Sequence, residues 1–198
     1  MLLSQDEARF PMVPTLCATL GVKGHRPVVG TRDCKDLLYV FASVDCAGGR
    51  LHTRTLESRQ KQNRAAKRAG ISKARRMQEA FAAHLRDVAG AYPAHLHERV
   101  VLVIDNAPWH RGQAVSEALA ENPHLELYRL PSYSPKLNVI ERFWKPLRRR
   151  ATHNRLFDSL ADLKTSIRNS LRYFQTVRGR IMGLIGGCYE NQTASTGT

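Results

Sequence analysis

The chain has 198 residues, and its 31 Lys and Arg against 17 Asp and Glu give a formal net charge of +14. That length suits one domain with a sizeable core rather than two. The charge points to a polyanion, most simply nucleic acid, because basic side chains that neutralise phosphates release bound counterions; a merely basic soluble protein fits the composition equally well.

No apolar run approaches the roughly 20 residues needed to span a bilayer, and no charged-then-apolar leader opens the chain. The expected location is therefore the cytoplasm, at the nucleoid. Cys17, Cys34, Cys46 and Cys188 are scattered without a CxxC pair or a histidine at zinc-finger spacing, so reduced thiols are expected.

SQDEARF, with Asp6, reads as a short strand that begins abruptly, as in the C-terminal part of something larger or the second of two reading frames. Residues 11–35, with Pro11, Pro14, Gly21, Gly24, Pro27 and Gly30, read as loop with a brief strand near Thr15–Thr19. Leu37–Val44 is a β-prone apolar run that Gly48-Gly49 turns into Arg50–Leu56, forming a hairpin.

Eight of the eighteen residues from Arg59 to Arg76 are basic and none is acidic, so this stretch is a loop or frayed helix facing something negative, or simply a solvated basic face. Ala74–Ala91 carries Met77, Ala80, Phe81, His84, Leu85 and Val88 at helical spacing. Val100–Ile104 (VVLVI) is a strand buried on both faces, Ala114–Ala120 a helix, and Leu125–Leu130 the next strand. Ser134-Pro135 opens the last long helix, whose apolar face is Leu137, Ile140, Phe143, Trp144 and Leu147. The whole predicts an α/β sheet of about five strands flanked by helices. Residues 179–198, including Gly183–Gly187 and Asn191–Thr198, read as a flexible tail.

Two acids stand at defined points, Asp105 just beyond the buried strand and Glu141 at the border of the last helix's packed face, with thirty-five residues between them. Asp105 as a helix cap and Glu141 as an ion-pair partner of Lys145 are the ordinary alternatives. Neither explains why a third strand acid, Asp6, accompanies them. Three carboxylates on different elements can surround two magnesium ions and cut phosphodiester bonds.

SQDEARF, VIDNAPWH and SPKLNVIERFW together resemble the DDE catalytic domain of the mariner-like transposase superfamily, in the branch carried by bacterial insertion sequences. The resemblance runs over nearly the whole chain. It implies a ribonuclease-H-like mixed sheet over residues 1–178, with Asp6, Asp105 and Glu141 as the catalytic and metal-binding acids. It implies Mg2+ as two ions, for which Mn2+ can substitute, and hydrolysis at element ends followed by attack of the freed 3′-hydroxyl on target DNA. A homodimer is implied as well.

Asn106 and His110 match the family's DNA-x-x-H pattern, and Asn138 lies one turn before Glu141. These three are candidate supports for the acids, although His110 also reads as a helix-surface residue. Glu7 should point to the opposite face of its strand and ranks below Asp6. Trp109 and Trp144 read as packing residues. Arg64, Lys67, Arg68, Arg75 and Arg76, with Arg142, Lys145, Arg148 and Arg149, are candidates for DNA-backbone contacts.

Two departures stand out. Asn138-Val139-Ile140-Glu141 replaces the family's Asn-Pro-Ile-Glu, a change that should be tolerated. The family's N-terminal helix-turn-helix region is absent from the sequence. A stand-alone nuclease of the same fold, or an inactive remnant binding DNA through its basic surface, therefore remain rivals.

Overall fold

The computed structural model describes residues 1–186 apart from Tyr133, Pro135 and Lys136. In chain order the elements are β1 (Leu2–Pro11), β2 (Leu37–Asp45), β3 (Leu51–Ser58), α1 (Gln60–Arg68), α2 (Lys73–Ala91), β4 (Val100–Ile104), a 3-10 turn at Pro108–His110, α3 (Gln113–Glu121), β5 (Leu125–Arg129), α4 (Glu141–Ala151), α5 (Leu160–Gln175) and α6 (Arg178–Ile185). The strands form one sheet in the order β3-β2-β1-β4-β5. β1 pairs antiparallel with β2 and parallel with β4, so it lies at the sheet's centre.

Period-two alternation sends successive side chains of β1 and β2 to opposite faces. Leu3, Tyr39 and Phe41 pack with Phe81, Leu85 and Val88 of α2 and with Val115 and Ala118 of α3. Ala8, Phe10, Leu38 and Val40 pack on the other side with Phe143 and Leu147 of α4, Leu163, Ile167 and Leu171 of α5, and Ile181 and Ile185 of α6. Both faces are thus covered, which is why β2 reads as an unbroken apolar run.

Several local expectations change. α4 begins at Glu141 rather than at Ser134, and Leu137 is 58% exposed instead of packed; Pro135 lies outside the described residues. The reason is a long-range anchor: the Asn138 side chain accepts from Ser4 Oγ and donates to Gln5 O at 2.9 Å, holding a turn against β1 before the helix can start. Helix α5 forms where no element is predicted, opened by a capping box in which Ser159 and Asp162 satisfy each other's backbone. The tail reading fails for residues 179–185, since α6 buries Ile181 and Ile185, one turn apart, despite Gly179 and Gly183. Within the long connection before β2, Thr15 forms an isolated bridge to His153 in place of the brief strand. Cys17, Cys34 and Cys46 are free thiols, and among the described residues no helix is long and apolar enough to cross a membrane.

One buried polar contact sets an acid limit to stability. His84 of α2 is fully buried, bonded through Nε2 to Ser43 Oγ at 2.8 Å, and burial pushes its pKa down to about 3. The unfolded chain binds this proton from about pH 6.5 downward and the folded chain does not. Its contribution is complete above that pH and falls by about 1.4 kcal/mol per pH unit below it. Urea midpoints at pH 7, 5.5 and 4.5 should therefore fall more steeply for the wild type than for His84→Gln. Parallel slopes would refute the assignment. The comparison with the variant matters because Asp6, raised to about 7 mainly by burial, titrates with the opposite sign over much of the same range.

Candidate active site

The parallel register of β1 and β4 pairs Ser4 with Val103. Two residues further along both strands come Asp6 and Asp105, so the strand order itself brings these acids side by side. β4 ends at Ile104, and Asp105 therefore stands at the carboxyl end of a buried strand, where open α/β sheets bind ligands. Glu141 is the first residue of α4, where the helix dipole favours a carboxylate. Asp105 and Glu141 line a cleft of about 350 Å³ together with Asn106, Leu130, Ser132 and Asn138.

The electrostatics are those of acids short of positive charge. Burial pushes Asp6 up to about 7 despite a 2.7 Å hydrogen bond from Trp144 Nε1, and Glu7 and Asp105 push in the same direction. Glu141 is raised by burial and then by Asp105. Among the described residues no salt bridge joins Glu141 to Lys145.

Asp105 is the exception, held below the usual carboxylate range chiefly by its hydrogen bond from His110. Its Oδ1 lies 3.1 Å from His110 Nδ1 and accepts from Ala107 N at 2.9 Å. The capping alternative is thus half right, since one oxygen caps the following turn. Among the described residues neither contact uses Oδ2, which remains free to bind something else.

His110 is not a surface residue. Its ring is buried between Asp105 and Glu7, whose Oε1 is 2.7 Å from Nε2. Burial opposes charge on the ring, but the bonds to Asp105 and Glu7 outweigh it and raise His110 to about 9. Glu7 also accepts from Trp109 Nε1 at 3.0 Å. Glu7 does face away from Asp6, yet that face is where the turn after β4 lies. A single dipeptide, Asp6-Glu7, thereby serves two elements on opposite sides of the sheet.

Glu7, Asp105 and His110 offer ligand atoms within 4.8 Å of one another, a spacing compatible with a cation. Their separations of 2.7 and 3.1 Å are hydrogen-bond lengths, and the imidazolium already supplies the positive charge. Among the described residues, the oxygens left open are Asp6 Oδ1, those of Glu141, and Asp105 Oδ2. They are hard donors from three elements, which fits a divalent ion such as Mg2+.

The remaining candidates divide. Asn106 donates to Leu130 O at 2.7 Å and shapes the cleft wall, while Asn138 ties α4 to β1. Arg64, Lys67 and Arg68 are exposed on α1, a helix rather than a loop, and Arg142, Lys145 and Arg149 are exposed on α4. Three arginines are engaged within the protein. Arg75 pairs with Glu79, Arg76 bonds to Asn63 and to Glu57 O, and Arg148 lies over the Phe10 ring.

The match to the family model of the DDE superfamily endonucleases covers residues 1–164. The chain belongs to this family. As a DDE superfamily endonuclease domain it shows 29% identity over 85 residues to an uncharacterized 39 kDa protein of insertion element IS630 from Shigella sonnei, a stretch covering 43% of this chain and 25% of the relative. It is 32% identical over 87 residues to the uncharacterized protein y4pE/y4sA of Sinorhizobium fredii, covering 44% of this chain and 60% of the relative.

Among solved structures, the mariner Mos1 paired-end complex with Mg superposes with a TM-score of 0.60 at 21% identity, covering all of this chain and 56% of that one. The Mos1 catalytic domain gives 0.53 at 17% identity, covering 94% and 81%. The DDE domain therefore has the ribonuclease-H-like fold of a mariner-like transposase catalytic domain, and it spans only part of the length of its curated relatives.

Proposed function

We propose that this chain is the catalytic portion of an insertion-sequence transposase, cleaving DNA at element ends and joining them to a target. The observation that carries the reading is that Asp6 of β1 and Glu141 at the start of α4 both feel the charge of Asp105 at the end of β4, each carboxyl being raised first by burial and then by neighbouring acids that include Asp105. Such a cluster is costly unless something positive joins it.

Asp6, Glu141 and Asp105 Oδ2 would hold Mg2+, as two ions, with Mn2+ able to substitute; bound there, the ions supply Lewis-acid activation of the attacking oxygen and stabilisation of the departing one. The chain's own residues do the positioning. His110 fixes the rotation of Asp105, Trp144 orients Asp6, and Asn138 sets where α4, and hence Glu141, begins. Exposed Arg64, Lys67, Arg68, Arg142, Lys145 and Arg149 hold the DNA backbone.

In the first step water adds to the phosphorus of the scissile bond and a 3′-hydroxyl leaves. In the second that hydroxyl attacks a target phosphodiester, forming one bond and releasing a new 3′-hydroxyl. The active unit is a homodimer, because two ends must be joined in one event. The likeness of fold to Mos1 transposase in its paired-end and strand transfer complexes supports this reading.

The test is a labelled duplex carrying the flanking element end, incubated with Mg2+ or Mn2+. Nicked and joined products are expected. Nicks without joined product would replace the reading with a stand-alone nuclease. Absence of nicking at any concentration of either metal, with DNA still bound, would replace it with a DNA-binding remnant.

A further inference from the structure

The face formed by α4, α5 and α6 carries a feature that the catalytic cleft does not use. The Arg150 guanidinium carbon lies 3.7 Å from the centroid of the Tyr173 ring and that of Arg180 lies 3.8 Å from the same centroid. Two cations this close to one ring must occupy opposite faces, because on one face they would collide. The tyrosine is thus clamped between arginines from the end of α4 and the start of α6, and it remains 37% exposed.

Arg180 is fixed further, donating to Tyr173 O at 2.5 Å and to Thr176 Oγ1 at 3.4 Å. A stacked guanidinium keeps its in-plane N–H donors and loses the rotamer freedom that it would otherwise surrender on binding. Such a plane is prepared for the paired oxygens of a phosphate.

The surroundings match. Between residues 141 and 185 there are eleven Lys and Arg against three Asp and Glu. Each acid is occupied elsewhere: Glu141 lines the cleft, Asp158 pairs with Arg32 and Asp162 closes the α5 cap. Arg172 on α5 and Arg178 on α6 are exposed. Among the described residues no salt bridge involves Arg150, Arg172, Arg178 or Arg180, so the field of this face is not cancelled locally.

We infer that the α4–α6 face is a docking surface for the phosphate backbone of duplex DNA, separate from the catalytic cleft, with the Arg150–Tyr173–Arg180 stack as its fixed element. The inference rests on the reading of the chain as a protein that acts on DNA. It requires no cleavage and no metal.

The test is fluorescence anisotropy of a labelled duplex in EDTA across a series of NaCl concentrations. Each phosphate contact contributes about 0.9 to the slope of log K against log salt, so Arg150→Gln with Arg180→Gln should lower the slope by about 1.8. Tyr173→Ala should weaken binding although it removes no charge, and Tyr173→Phe, which keeps the ring, should bind like wild type. Thermal melts confirm folding. If the double variant melts early, Arg150→Gln alone, whose guanidinium makes no hydrogen bond among the described residues, should lower the slope by about 0.9.

An unchanged slope in folded variants would overturn the proposal, as would displacement of the duplex by RNA at lower concentration than by DNA. Nicking assays separate this outcome from failure of the enzymatic reading: wild type that binds through the stack without nicking would sink only the latter, and nicking by variants of unchanged slope would sink only the former.

Discussion

Asp105→Asn will abolish metal-dependent nicking, by on the order of 10³-fold or more, the scale of removing a charged or dipolar group aimed at the reacting centre. The variant is informative because of how the carboxylate is divided. Oδ1 serves the fold, accepting from Ala107 N at 2.9 Å and facing His110 at 3.1 Å. An asparagine oxygen can accept there, so the turn after β4 should persist. The open oxygen becomes an amide that presents hydrogens to any cation.

Folding and DNA binding should therefore survive, with binding unchanged or slightly tighter because one negative charge is lost. Glu141→Gln should behave the same way, since Glu141 lines the cleft and takes no part in the salt bridges of the described residues. Nicking by Asp105→Asn within tenfold of wild type would exclude Asp105 as a metal ligand.

Glu7→Gln will weaken the response to metal by about 10- to 100-fold, the usual effect of removing a group that orients a ligand rather than the ligand itself. Glu7 touches His110 and Trp109, and His110 in turn fixes Asp105. Without the Glu7 charge the ring loses one of the two partners that hold it protonated to about pH 9.

A histidine pKa raised on folding stabilises fully below about 6.5 and ceases to do so as the pH rises through its folded value. Glu7→Gln should therefore move the alkaline limit of both stability and nicking to lower pH. The Mg2+ midpoint should rise while the maximal rate is recovered at high Mg2+, unlike Asp105→Asn, which no metal concentration should rescue. An unshifted midpoint and an unshifted alkaline limb would show that Glu7 only fills space.

Local patterning explains what could be read in advance. VVLVI, the hairpin and the spacing of Met77, Phe81, Leu85 and Val88 are short-range signals, and β4, β2–β3 and α2 follow from them. α5 was equally legible, because Ser159-Leu-Ala-Asp162 followed by Leu163, Ile167 and Leu171 is a capping box before an apolar stripe. The start of α4 was not, since it depends on Asn138 meeting Ser4 across 134 residues. α6 carries glycines of low helix propensity and forms because the core accepts Ile181 and Ile185.

The candidate site shows the same divide. A place just beyond a buried strand marked Asp105, and a place at the border of a packed helix face marked Glu141, as candidate acids. That Asp6 would lie beside Asp105 depended on β1 and β4 being neighbours, and the role of Glu7 depended on which face the turn at Pro108–His110 would cover. Neither is a property of any short stretch of sequence.

The chain contains two tryptophans. Trp144 donates to Asp6 and Trp109 to Glu7, from opposite sides of the sheet. Each indole is thus bonded to one of two consecutive carboxylates, and no other fluorophore of that kind dilutes the signal. The unlabelled protein thus carries its own optical gauge: its tryptophan emission should shift when Asp6 changes protonation or takes up a cation.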